Sequence, residues 1–158
     1  MRGLKISGFV FIACASLFFA SCESSDDSDN MGSVENVEEV KSTVSTGTWL
    51  VALYEEDEVD QTSNFAGYSF TFNSTGELSA NNGETSISGA WSITSESDSS
   101  DDDNPSDDVD FNIFFSSPVK FAEISEDWEI VSFSSARIEL KHVSGGDGSI
   151  DRLVFEKI

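Results

Sequence analysis

The groups best able to do chemistry in this 158-residue chain are two thiols, Cys14 and Cys22, one imidazole, His142, and thirty carboxylates set against eight basic side chains. Nucleophilic hydrolysis would need a base beside Ser or Thr. The only histidine follows Ile138 and Leu140 at two-residue spacing, so it reads as a strand-end side chain. Carboxylates crowd into YEEDEVD (54–60) and DSSDDDNPSDDVD (98–110), polar stretches where burial cannot raise a pKa. In the second of these, Asp101, Asp103, Asn104 and Asp107 could offer oxygens to calcium. The stretch lacks the glycine and terminal glutamate that shape an EF-hand loop, so it reads as a disordered hairpin insertion over about residues 95–108. GGDG at 145–148 precedes a strand rather than a helix and is a turn, not a phosphate cradle. The expectation is a protein with no catalytic residue, metal or cofactor.

Cys22 is the informative thiol, because it sits between an apolar run and an acidic one in FFASCESSDD, residues 18–27. Arg2 and Lys5 supply positive charge, Ile6 to Ala20 is almost wholly apolar, and Ala20-Ser21 are small, the three parts of an export signal over 1–21. The apolar run is shorter than the roughly 20 residues a bilayer span requires, which favours cleavage over a permanent helix. Small residues directly before a cysteine resemble the lipobox of bacterial lipoproteins, in which the thiol receives a diacylglyceryl group and becomes the mature N-terminus. Phe19 stands where that motif usually has Leu; Cys14 is a rival site with little apolar core ahead of it, and an ordinary secretory signal cut near Ser21 is the alternative.

Cleavage before Cys22 removes two of the eight basic residues and none of the thirty acids, leaving a formal charge of −24 and no cysteine but the anchor. Disulfides and cysteine-ligated zinc are then excluded from the folded part. Residues 23–30, ESSDDSDN, are too polar to bury surface and read as a tether. An acidic stretch directly after a lipid cysteine is similar to the export tag of surface-displayed lipoproteins of Bacteroidetes-type bacteria, with a plain solvated linker as the alternative. The resemblance implies an outer-membrane, lipid-anchored, surface-exposed protein whose membrane contact runs through Cys22. The charge disfavours nucleic acid and anionic headgroups.

Within residues 22–46, Val34, Val37, Lys41 and Val44 recur at helical spacing after Ser33, which could act as N-cap of a short helix; continued linker is the other reading. From 47 to 158 the spacing becomes two. Trp49, Val51 and Leu53 share one side of a first strand; Tyr68, Phe70 and Phe72 a second; Leu78 and Ala80 a third, ahead of an Asn-Gly turn. Ile87, Gly89, Trp91 and Ile93 line a fourth, and Val109, Phe111, Ile113 and Phe115 a fifth. SPVKFAEIS breaks the alternation and suits a helical turn over a barrel end. Trp128 and Ile130, or Val131 and Phe133 if a bulge shifts the register, make a sixth; Ile138, Leu140 and His142 a seventh; Leu153 and Phe155 the last. The fold class expected is all-β, an antiparallel up-and-down barrel of eight strands, because closure removes the exposed edges of a meander. An open sandwich demands the same alternation.

Gly47-Thr48-Trp49 resembles the Gly-X-Trp signature of lipocalins. With the second copy at Gly89-Ala90-Trp91 and DWEIVSFSSARIELK at 127–141, the region is similar to the lipocalin-like domains of Bacteroidetes lipoproteins. The resemblance implies binding of a small hydrophobic or amphipathic ligand, with Trp49, Tyr68, Phe70, Phe72, Trp91, Phe111, Phe115 and Trp128 as cavity candidates. The same side chains could instead fill the barrel, leaving a structural or protein-interaction domain. That second class calls for an exposed apolar patch, for which Leu50 and Tyr54, on the outward side of the first strand, are the suspects.

Overall fold

The computed structural model describes residues 37–95, 109–146 and 148–158. Cys22, the tether, Ser33 and the calcium candidates Asp101, Asp103, Asn104 and Asp107 lie outside the described residues. The strands are β1 (Trp49–Glu56), β2 (Val59–Asp60), β3 (Ser69–Phe72), β4 (Glu77–Asn81), β5 (Ser86–Ser95), β6 (Val109–Phe114), β7 (Asp127–Phe133), β8 (Arg137–Val143) and β9 (Ile150–Lys157). Eight of them, β1 and β3 to β9, pair antiparallel in chain order, and β9 returns to pair with β1. This is a closed eight-stranded barrel, since one continuous sheet meets itself. β2 is a two-residue ribbon on the end of β1, joined through Asp57 and Glu58, both at positive φ. Two such residues form the mirror-image turn that matches strand twist, a conformation that favours Asn-Gly over these acids.

Alternation places most inward residues as expected, and two bulges mark where it fails. The β1–β9 register slips between Val51 and Leu53, so Ala52 is an extra residue in β1. A single inserted residue exchanges the two faces for everything beyond it. Trp49 points inward before the slip, but after it Leu53 is only half-buried and Tyr54 is 1% exposed. Tyr54 is therefore a core residue and no part of an outward patch, and Leu50 is half-buried. In β7 the slip falls between Ile130 and Ser132. Trp128 and Ile130 point inward before it, as the first register expects; the second register fails at Val131, which is the extra, exposed residue, and after the slip Ser132 is buried while Phe133 packs half-buried against the core.

Both ends of the barrel are plugged. At the end where β1 starts and β9 stops, α1 (Val37–Val44) lays Val40 and Val44 into the core. The Trp49 indole N–H donates to Val44 O at 3.0 Å, which ties the helix to the first strand. The packed unit thus begins ahead of residue 47, with Val40 and not Lys41 as the buried partner of Val44. The opposite end carries the 3-10 turn Thr62–Phe65 and α2 (Val119–Ala122), whose Phe65 and Phe121 are buried against each other at 5.4 Å between ring centroids. Lys120 Nζ fastens the two by donating to Asn64 O at 2.8 Å. Among the described residues, no helix is long and apolar enough to cross a membrane.

Candidate functional site: the barrel interior and its two ends

The eight candidate cavity residues come together inside the barrel; six of them meet in ring contacts, while Trp49 lies under the Lys157 ammonium and Trp128 against His142. Tyr68, the most exposed of them, is at 9%, and Trp49, Phe70, Phe72, Phe111 and Trp128 are fully buried. Rings touch in a continuous series. Phe121 meets Tyr68 and Phe115, each at 5.1 Å; Phe70 meets Phe155 at 5.4 Å; and Phe72 meets Phe155 and Trp91 at 5.4 Å and Phe111 at 5.5 Å. Most of these contacts are edge-to-face, the arrangement the ring quadrupole prefers, worth about 0.5–1.5 kcal/mol per pair beyond area burial. An eight-stranded barrel is just wide enough for side chains to fill, and these do so along its length. Of the open grooves at described residues, one lined by Ala90, Trp91, Ile113 and Phe114 follows β5 and β6, another lined by Asp57, Glu58 and Ile150 separates two hairpins, and a third lies beside α1 at Lys41, Thr75, Trp91 and Ile93.

The two Gly-X-Trp segments have different local reasons. At the first, Gly47 takes φ +80° and lies against the Lys157 side chain, which reaches across the Trp49 ring with its ammonium 4.8 Å from the centroid. A cation over an indole face is held by the ring quadrupole. At the second, Gly89 is the close-approach residue: a Cβ there would stand 2.4 Å from Phe114 O and 2.6 Å from Phe115 Cδ1. Its tryptophan, Trp91, donates its N–H to Asn73 O at 2.8 Å, pinning the turn between β3 and β4. Trp128 donates likewise to Ile124 O at 3.1 Å. All three indoles therefore tie the barrel wall to the segments beside it.

The mouth closed by α2 is strongly acidic. Two registered positions beyond the inward pair Leu140 and Leu153, past Lys141 and Arg152, β8 and β9 pair His142 with Asp151, and Glu56 follows the registered Glu55 on the adjoining β1. Tyr54 lies below this rim and donates its hydroxyl to Glu123 O at 3.2 Å. Burial first, and then the carboxylates of Glu56, Asp151, Glu123 and Glu126, hold its phenol well above the ordinary range. Glu56 is raised as well, by burial and then by Glu123, with Asp151 and Asp57 adding to it and the hydrogen bond from Gln61 opposing; the expectation that burial raises no pKa in YEEDEVD fails here, because residues 54–56 belong to β1 and not to a polar loop. Asp60, fully exposed, is lowered by accepting hydrogen bonds from Thr62. The ion pairs among described residues involve Arg137, Lys141 and His142, and none of them reaches Glu56, Glu123 or Asp151.

Because the folded state holds Glu56 above its unfolded value, its ionisation opposes folding. The penalty is absent below the ordinary carboxylate range, grows through the raised folded pKa and is complete above it. Glu56→Gln keeps the Gln61 contact and should raise Tm by about 1–3 °C at neutral pH, given solvent screening of a half-exposed group. Melting curves on the acid side of the carboxylate range should show the two proteins converging. A gain that persisted unchanged in acid would remove the charge explanation.

Sequence reasoning missed Phe65 and Tyr54 as core residues, and it missed the grouping of Glu126 and Asp127 with His142, whose donor atoms lie within 4.8 Å of one another. Phe65 is embedded in a polar turn with no periodicity. The Glu-Asp pair ahead of Trp128 was a legible signal, but its partner is 15 residues away and only strand pairing brings it near. Comparison with protein-family models, with curated proteins and with solved structures returns no match to this chain.

Proposed function

We propose that this chain is a lipid-anchored, outer-membrane or cell-surface protein whose barrel is a non-catalytic structural or protein-interaction domain. The observation that carries this reading is the filled interior: the side chains that would wall a ligand cavity are buried on one another. The anchored, surface-facing half of the reading is supported by the Cys22 context and the acidic stretch after it. Exposed apolar surface is present where an interaction domain needs it, with Phe114 at 61% exposure on the outer wall beside the β5–β6 groove. A singly exposed aromatic is ordinary, but one beside a groove is a fit place for a partner's side chain.

The test uses a chain starting at residue 23, which retains every described residue, isolated without its anchor. Native mass spectrometry should return the bare polypeptide mass, and an environment-sensitive fatty-acid probe should show no saturable binding. A stoichiometric small molecule, or saturation of the probe, would overturn the filled-barrel reading. The lipocalin-like alternative, capture of a small hydrophobic or amphipathic ligand, would then take its place.

A further inference from the structure

We propose that Glu126, Asp127 and His142 form a binding site for a borderline divalent transition cation such as zinc at the acidic mouth of the barrel. The three side chains offer donor atoms that all lie within 4.8 Å of one another. His142 Nδ1 is 3.2 Å from the main-chain oxygen of Asp127 and 3.8 Å from its Oδ1. A metal about 2.0–2.2 Å from nitrogen and carboxylate oxygen needs its ligand atoms roughly 3–4 Å apart, so small side-chain rotations close the set.

The donors also stand on fixed backbone, unlike the acids of a polar loop. Glu126 O accepts from Ile113 N at 3.0 Å, Asp127 pairs with Asn112 across β6 and β7, and His142 pairs with Asp151 across β8 and β9. The imidazole rests edge-on against buried Trp128 at 6.1 Å between centroids. That contact holds the ring beside the carboxylates, and Nδ1 binds an ion only after losing its proton and exchanging its contact with the Asp127 carbonyl for the metal. One imidazole nitrogen with carboxylate oxygens suits zinc and its first-row neighbours, whereas calcium and magnesium take oxygen alone. Exposure of Glu126 and Asp127 leaves room for water ligands, and the nearby carboxylates of Asp151, Glu123 and Glu56 concentrate cations at the mouth. An ion here would staple the segment ahead of β7 to β8.

The single histidine makes the test direct, because its imidazole C–H resonances need no assignment against others. Zinc chloride is titrated into the full chain in non-ionic detergent while those resonances and Tm are followed. The expected result is saturable displacement of the His142 signals at one equivalent, with a higher Tm. Glu126→Gln and Asp127→Asn, both at exposed positions, should each weaken binding by about tenfold or more, the size of effect that even outer-sphere partners produce. A tenfold excess of calcium should not displace the zinc. Unmoved His142 signals would overturn the site; so would carboxylate variants that bind zinc like the parent, or displacement by calcium. Zinc held by the acidic stretches 23–30 or 98–110 would leave the imidazole signals unchanged and therefore counts against the proposal.

Discussion

Gly89→Ala should lower Tm by about 10–15 °C, the largest loss expected from a single methyl group in this barrel. The added Cβ would fall 2.4 Å from Phe114 O and 2.6 Å from Phe115 Cδ1, far inside van der Waals contact. Neither neighbour can retreat. Phe114 is held in the β5–β6 ladder opposite Ala90, and the Phe115 ring is fully buried between Phe70 and Phe121. Phe115 N also donates to Ser125 Oγ at 2.8 Å, which fixes the chain as it leaves β6. Overpacking typically costs about 1–3 kcal/mol and more where backbone is the obstacle, and each kcal/mol is worth several degrees in a domain of this size. Gly145→Ala is the matched control, since a Cβ there meets nothing within 4 Å and its φ lies outside the left-handed region. Thermal melts should show the control within a degree or two of the parent. An equally benign Gly89→Ala would mean that β5 and β6 do not approach as closely as described.

Cys22→Ala should move the protein from the membrane fraction to the aqueous phase, an all-or-none change in partition. Each buried methylene of an acyl chain contributes about 0.8 kcal/mol, and a single chain holds a protein only marginally, so attachment depends on the complete lipid modification. The formal charge of −24 that cleavage before Cys22 would leave disfavours anionic headgroups, and no described helix is long and apolar enough to span. The measurement is metabolic labelling with an alkynyl fatty acid followed by detergent phase separation, in a bacterium that processes lipoproteins. Parent and Cys14→Ala should label and enter the detergent phase, and Cys22→Ala should do neither. Labelling that follows Cys14 instead would move the anchor, and an unlabelled, water-soluble parent would return the ordinary secretory reading.

What the amino-acid order determined alone was whatever depends on neighbours along the chain. Two-residue spacing of Phe70 and Phe72, of Phe111 and Ile113, and of Leu153 and Phe155 set strands with one buried face, and the interruption at 117–125 set the helical turn at α2. Pleat and helix periods are local properties, so they can be read locally. The tertiary structure decided whatever depends on pairing between distant segments. The extra residue at Ala52 exists only relative to β9, so no property of WLVALYEE announces that Tyr54 turns inward. Barrel against sandwich turned on whether β9 would return to β1, which alternation leaves open. Filled against hollow turned on a sum of volumes: Phe65 and Phe121, brought in by a polar turn and a four-residue helix, complete the packing that the strand aromatics begin. The meeting of Glu126, Asp127 and His142 likewise follows from strand register, because residues 15 apart in sequence become neighbours only when β7 and β8 pair.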